Sequence, residues 1–238
     1  MLTIVGIGPG ALDGRTLEAQ RALEEADILT GYSTYINLLR DEFPQKRLFY
    51  TGMRQEVERC RESLRLSREG QRVALCCSGD AQVYGMAALV LELACPDDDI
   101  RIIPGVTAAL SAAALLGAPI SGDFAVISLS DLLTPWETIY NRLQAAAQGD
   151  FVIALYNPAS KTRLNQLSRA CDIIMAHRSG ETPYGWVRNI GRIGQEKKLG
   201  TLSLLRGEQL DMLTTVIIGN SATVIHNGAM LTPRGYRL

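Results

Sequence analysis

The sequence predicts an α/β fold made of two α/β domains, an N-terminal one with a mostly parallel sheet and a C-terminal one with a mixed sheet. Three observations carry this. Short apolar runs rich in β-branched residues alternate with helix-forming stretches through the first half. Most of these runs end in turn chemistry, and beyond Tyr184 the segments shorten and take hairpin-like spacing. Alternation implies a parallel sheet because a parallel pair needs a crossover, usually helical, whereas short closely spaced strands favour antiparallel pairing. A chain of 238 residues, 47% of them apolar, buries a core without disulfide or metal staples.

The elements follow in order. Leu2 to Ile7 reads as a buried strand that stops at Gly8-Pro9-Gly10. Thr16 to Ala26 reads as a helix, with Asp13 or Thr16 as N-cap and Ala19, Leu23 and Ala26 on one stripe. Ile28 to Thr30 is a second strand. Met53, Val57, Cys60 and Leu64 stand at helical spacing, Val73 to Cys77 is a strand, Val83 to Leu93 a helix, Ile100 to Ile103 a strand and Thr107 to Leu116 a helix. Gly117 to Asp123 is the expected linker, giving domains 1–118 and 119–238. Beyond it, Phe124 to Leu129 and Phe151 to Tyr156 are strands around a helix at Trp136 to Ala147, and Lys161 to Ala176 is a helix. Tyr184 to Asn189, Thr201 to Leu205 and Thr215 to Gly219 are short strands.

Charge and cysteine content exclude several classes. With 24 Lys and Arg against 25 Asp and Glu, the chain lacks the basic excess that bulk binding of nucleic acid needs. Its five cysteines form no C-x-x-C pair, so neither a disulfide framework nor a zinc ribbon is encoded, and no metal ligands are assigned. The first residues show no basic leader or cleavage site, and no window reaches about 18 uninterrupted apolar residues. A cytoplasmic protein without membrane or nucleic-acid partners is the expectation.

Strand ends carry the chemistry, since ligands collect at the carboxyl ends of open α/β sheets. Gly6-Ile7-Gly8-Pro9-Gly10-Ala11 satisfies G-x-G-x-x-A, the fingerprint of a dinucleotide loop. Two features argue against that use. Pro9 removes a backbone N–H from the loop, and the second strand ends in Gly31-Tyr32 without an acid for a ribose. A plain strand-to-helix turn is the competing reading for this loop taken alone.

The loop is accompanied by Ser78-Gly79-Asp80-Ala81-Gln82-Val83-Tyr84-Gly85-Met86-Ala87, by Pro104-Gly105-Val106-Thr107-Ala108 and by Tyr156-Asn157-Pro158. Together these resemble the tetrapyrrole methylase family over essentially the whole chain. The family binds S-adenosylmethionine with a Gly-x-Gly-Pro-Gly loop, a Gly-Asp loop and a Pro-Gly-x-Thr-Ala turn. Ser128 to Trp136 and the terminal Thr232-Pro233-Arg234-Gly235-Tyr236 resemble one branch of it. That branch methylates C17 of precorrin-3B or cobalt-precorrin-3 with contraction of the ring, in cobalamin biosynthesis. A sibling methylase acting at another ring position and a non-catalytic tetrapyrrole-binding protein are the rival readings. Ala81-Gln82 departs from the Pro that many members carry after the Asp.

The resemblance implies a cofactor cleft between the two domains, a homodimer, and a set of cofactor contacts. These are Pro9; Ser78, Gly79, Asp80 and Val83; Thr107 and Ala108; Asn157; and Asn189, Asn220 and Thr223. From the residues themselves, Asp80 has two uses, ligand contact or N-cap ahead of Val83, and Thr107 likewise suits a helix N-cap. An Asp80→Ala exchange is expected to weaken methyl-donor binding and to leave the fold intact.

A corrinoid precursor is an apolar ring fringed with carboxylates, so its site should pair apolar area with arginine. Arg163 and Arg188, each just past a strand end, are the leading candidates, followed by Lys161, Arg192 and Arg234. Ser128, Ser130 and Asp131 could move protons or polarise a ring oxygen during contraction, or could simply close a loop before the helix at Trp136. Cys76 and Cys77 read as core residues, and neither His177 nor His226 is given a role.

Overall fold

A computed structural model describes residues 1–160 and 163–237, with Lys161 among the residues outside this range. It contains two compact units, Met1–Ala108 and Ala109–Leu238. The expected boundary at 118/119 falls inside the second unit, because Gly117 and Ala118 pair with Met230 and Leu231 there.

The first unit runs β1 (Leu2–Gly6), α1 (Leu17–Glu25), β2 (Ile28–Tyr32), α2 (Ser33–Leu39), β3 (Arg47–Thr51), α3 (Glu56–Arg68), β4 (Val73–Cys77), α4 (Ala87–Leu93) and β5 (Ile100–Ile103). The strands lie in the order β3-β2-β4-β1-β5 and every pair is parallel. All five carboxyl ends therefore share one edge. Both sheet faces are buried, so β4 reads as an unbroken apolar run. Val73, Leu75 and Cys77 enter one core cluster with Leu64 and Val90, while Ala74 and Cys76 enter the other with Leu23 and Leu39.

α1 starts where Thr16 Oγ1 accepts the Ala19 N–H at 3.1 Å and buries Ala19, Ala22 and Leu23. Thr16→Ala should cost about 1 kcal/mol, the usual value of such a cap, read as a lower urea midpoint at unchanged slope. α4 begins at Ala87 and not at Val83. The backbone of Tyr84 is left-handed, at φ 55°, which a right-handed helix cannot include, so the helix starts only after it.

In the second unit α5 (Ala108–Leu116), which begins at the unit boundary, and β6 (Gly117–Ala118) precede β7 (Phe124–Ser128), α6 (Trp136–Gln148), β8 (Val152–Tyr156) and α7 (Gln166–Met175). β9 (Pro183–Arg188), β10 (Glu196–Thr201), α8 (Leu202–Leu205), β11 (Thr214–Ile218), β12 (Val224–His226) and β13 (Ala229–Leu231) complete it. The main sheet has the order β10-β9-β11-β8-β7, parallel only between β7 and β8, so it is mixed. β12, β13 and β6 form a small third sheet. Ile127, Leu143, Ile153, Leu155, Leu167, Ile174 and Val216 are among the residues of the core.

The strand expected over Thr201 to Leu205 is corrected. β10 ends at Thr201, and Leu202 to Leu205 form a helical turn that buries Leu202 and Leu205 together on one face. No helix among the described residues is long and apolar enough to cross a membrane.

Candidate active site

On the first unit the loops after β1, β4 and β5 converge through glycine. A Cβ on Gly6 would stand 2.5 Å from the Gly105 nitrogen, and one on Gly105 would stand 2.1 Å from the Gly79 carbonyl oxygen. Gly8 and Gly79 exchange backbone hydrogen bonds at 2.7 and 3.0 Å, an isolated bridge between two loops. Gly79 holds φ 67°, which glycine adopts at no steric cost. A side chain at Gly6 or Gly105 would force apart backbones that touch across the loops. The three loops thus form a cradle packed backbone to backbone at the edge where parallel sheets take ligands.

Asp80 holds the cradle together. One carboxylate oxygen accepts the N–H groups of Gln82 at 2.8 Å and Val83 at 3.0 Å, and the other accepts that of Gly105 at 2.9 Å. The residue is only 8% exposed. Burial alone would raise its pKa. The N–H donors of Gly105, Gln82, Val83 and Ala81 outweigh that and hold the carboxyl below its ordinary value. Asp80 thus caps the turn before Val83, as one sequence reading had it, and also bridges to the third loop. Pro9, Ser78, Val83, Thr107 and Ala108 are half-buried around it, and Thr107 and Ala108 lie against Gly79.

On the second unit a polar group gathers at the carboxyl ends of β7 and β8. Asn157, left-handed at φ 52°, donates from Nδ2 to Ser128 Oγ at 3.0 Å, and the Ser130 N–H reaches the same oxygen at 3.2 Å. With two hydrogen bonds accepted, the Ser128 O–H has no acceptor among the described residues. The Ala109 N–H donates to Tyr156 Oη at 2.7 Å, tying the first turn of α5 to the end of β8. Asp131 accepts from Gln166 Nε2 at 3.2 Å, and Gln166 Oε1 is buried without a partner among the described residues. Arg163 is buried, with one long contact from Nη1 to the Leu129 carbonyl at 3.4 Å and no ion pair among the described residues.

The remaining candidates divide by sheet end. Antiparallel pairing sets Thr214 opposite Arg188 and Val216 opposite Leu155, so Asn189, at φ 52°, stands at the same end as Asn157. Arg188 is there too, but its charge is met by Glu196 at 2.7 Å and Asp211 at 3.9 Å. Asn220 and Thr223 follow the carboxyl end of β11, where Ile218 pairs with Ile153 near the start of β8. The structure does not bring them to Asn157. They bond to each other, and Thr223 Oγ1 lies 2.7 Å from Thr232 Oγ1. Arg234 lies over the Tyr236 ring at 6.0 Å.

Burial pushes the Cys77 thiol up to about 12 and that of Cys76 higher, so both stay protonated core groups, as expected from sequence. Residue-by-residue reading missed Gln166, Tyr156 Oη and a buried arginine, Arg59. Arg59 did leave a signal, since it stands four residues before Ser63 on the inward stripe of α3, where a charge is out of place.

Comparison with known proteins gives the chain's family and fold relatives. The family model described as Tetrapyrrole (Corrin/Porphyrin) Methylases matches residues 1–205. A protein of Salmonella typhimurium, named probable cobalt-factor III C(17)-methyltransferase, is 48% identical, with 100% of each chain covered. The crystal structure of the methyltransferase CobJ superposes with a TM-score of 0.89 at 37% identity, covering 98% of this chain and 99% of that one. A uroporphyrin-III C-methyl transferase from Thermus thermophilus, complexed with S-adenyl homocysteine, has a TM-score of 0.69. It is 21% identical, with 92% and 96% of the two chains covered, and shares the fold. With the model spanning most of the chain and a full-length relative at this identity, the protein belongs to the tetrapyrrole (corrin/porphyrin) methylases.

Proposed function

We propose that the chain transfers the methyl group of S-adenosylmethionine to C17 of cobalt-precorrin-3, or of precorrin-3B, with contraction of the ring, as a step of cobalamin biosynthesis. The observation that carries this reading is the full-length likeness to the relative named for C17 methylation of cobalt-factor III. The glycine cradle agrees with it, since Gly6 and Gly105 let the strand-end loops meet backbone to backbone at the edge where parallel sheets take ligands. Pro9, Ser78, Gly79, Val83, Thr107, Ala108 and Asn157 are the residues we assign to the methyl donor, with Asp80 bridging the loops after β4 and β5 and Asn189 at the Asn157 end. Asn220 and Thr223 have weaker support, given their place at the other end of the sheet.

S-adenosylmethionine brings an activated methyl carbon with its leaving group attached. The chain's work is therefore to hold the macrocycle's carbon in line with it, and no nucleophilic side chain is needed. The O–H of Ser128, without an acceptor among the described residues, is suited to donate to a ring oxygen, and Asp131 to take or return a proton during contraction. Arg163, with one long side-chain contact among the described residues, is suited to a peripheral carboxylate, while Arg188 would first have to leave Glu196. We further propose a homodimer working in the cytoplasm, with no nucleic-acid or membrane partner.

The test is S-adenosylhomocysteine release. Release that depends on added cobalt tetrapyrrole is expected. Tetrapyrrole binding without any release would contradict an enzyme and favour a carrier.

A further inference from the structure

Arg59 is 4% exposed, and among the described residues it takes part in no ion pair. Its partners are all neutral. Nε donates to Thr51 Oγ1 at 3.0 Å, one terminal nitrogen donates to the Gly52 carbonyl at 3.0 Å, and the other reaches only the sulfur of Met86, at 3.8 Å. The guanidinium also lies 5.7 Å from the centre of the Tyr32 ring. A buried cation is costly unless an anion meets it, and a thioether sulfur is a weak acceptor. Such an arrangement persists where something outside the chain supplies the charge.

Its place favours a ligand. Tyr32 ends β2 and Thr51 ends β3, while Met86 closes the loop after β4, so Arg59 lies at the ligand-bearing edge of the sheet. The two segments it joins carry left-handed backbone at non-glycine residues, Arg54 at φ 65° and Tyr84 at φ 55°. Met53 and Tyr84 expose apolar side chains on those segments, at 55% and 52%. Backbone strain of this kind collects at functional sites, and a cation flanked by apolar area suits an apolar ring with acidic arms.

We infer that Arg59 recognises a carboxylate arm of the tetrapyrrole on the first unit. The inference rests on the function proposed above and adds to it a substrate-binding group remote in sequence from Arg163. A guanidinium can take such an arm with two parallel hydrogen bonds, releasing the Met86 contact and keeping those to Thr51 and Gly52.

The experiment uses the full chain and measures three things. These are quenching of tryptophan fluorescence by cobalt-factor III, calorimetric affinity for S-adenosylmethionine, and melting temperature. In Arg59→Gln the Kd for cobalt-factor III should rise about tenfold or more, methyl-donor affinity should hold, and the melting temperature should be unchanged or higher, since an unpaired buried charge is gone. Arg59→Lys, which keeps the charge and loses the fork, should weaken cobalt-factor III binding less. Unchanged affinity for cobalt-factor III in folded Arg59→Gln overturns the inference, as does a parallel loss of both ligands with a lower melting temperature, which marks a purely structural residue. If Arg59→Gln does not fold, Arg59→Lys decides, and wild-type affinity in that variant overturns the inference. Wild-type protein that binds no tetrapyrrole would remove the functional reading itself, an outcome distinct from binding that the variants retain.

Discussion

Gly105→Ala is expected to abolish methyl-donor binding and to lower the melting temperature. The added carbon would stand 2.1 Å from the Gly79 carbonyl oxygen and 2.6 Å from the Gly6 carbonyl carbon. Both are backbone atoms on adjoining loops, so no side-chain rotation relieves the overlap and the loops must separate. Overpacking costs about 1–3 kcal/mol where side chains can yield, and backbone contacts put this site at or above the upper end. For a chain of this size that is a fall of about 6–12 °C or more. Gly122→Ala is the control, because a Cβ there meets nothing within 4 Å. Calorimetry with S-adenosylmethionine and a thermal melt read both effects. Wild-type donor affinity in folded Gly105→Ala would show that the three loops do not form the cofactor cradle.

Asp80→Ala should cost about 2–4 kcal/mol of stability and at least tenfold in methyl-donor affinity. The carboxylate satisfies three part-buried N–H groups in two loops, and charge-assisted hydrogen bonds to such a group are worth about 1.5–3 kcal/mol each, less whatever water recovers. This amends the expectation that the exchange leaves the fold intact, since Asp80 is a bridge as well as a loop residue. The pH dependence follows from the same hydrogen bonds. Because the folded pKa lies below the unfolded value, the stabilisation is complete above the ordinary aspartate range. It is lost as pH falls from about 4 through the lower folded pKa. Wild type and Asp80→Ala should therefore differ by a constant amount from pH 6 to 8 and converge in acid. A difference that grows above pH 6 would assign the effect to another group.

Much of this was legible before any coordinates. The complete burial of Val73 to Cys77 follows from a five-residue apolar run, and the ligand edge follows from glycine at three strand ends. Local signals run out where tertiary contacts decide. β3 is an edge strand with exposed residues, so it lacks the apolar run that marked its neighbours, and α2 starts at Ser33 with Tyr32 as an N-cap that makes no side-chain capping bond. Leu202 to Leu205 are short enough to suit strand or helix until both leucines find one core. The site behaves likewise. Asp80 showed its capping role in the spacing to Val83, but the bond to Gly105 spans 25 residues and Gln166 reaches Asp131 across 35. Arg188 looked free from its place after a strand, and only the antiparallel ladder reveals Glu196 opposite it.

The central claim is methyl transfer to one carbon of a contracting ring. Its most direct test supplies the purified chain with S-adenosylmethionine labelled in the methyl carbon and, in separate reactions, cobalt-precorrin-3 and precorrin-3B, then locates the label by NMR and mass spectrometry. The account predicts label at C17 of a ring-contracted product in at least one reaction. Label at another ring carbon would contradict the C17 assignment in favour of a sibling methylase, and folded protein that binds the tetrapyrrole but transfers no label would contradict the enzyme.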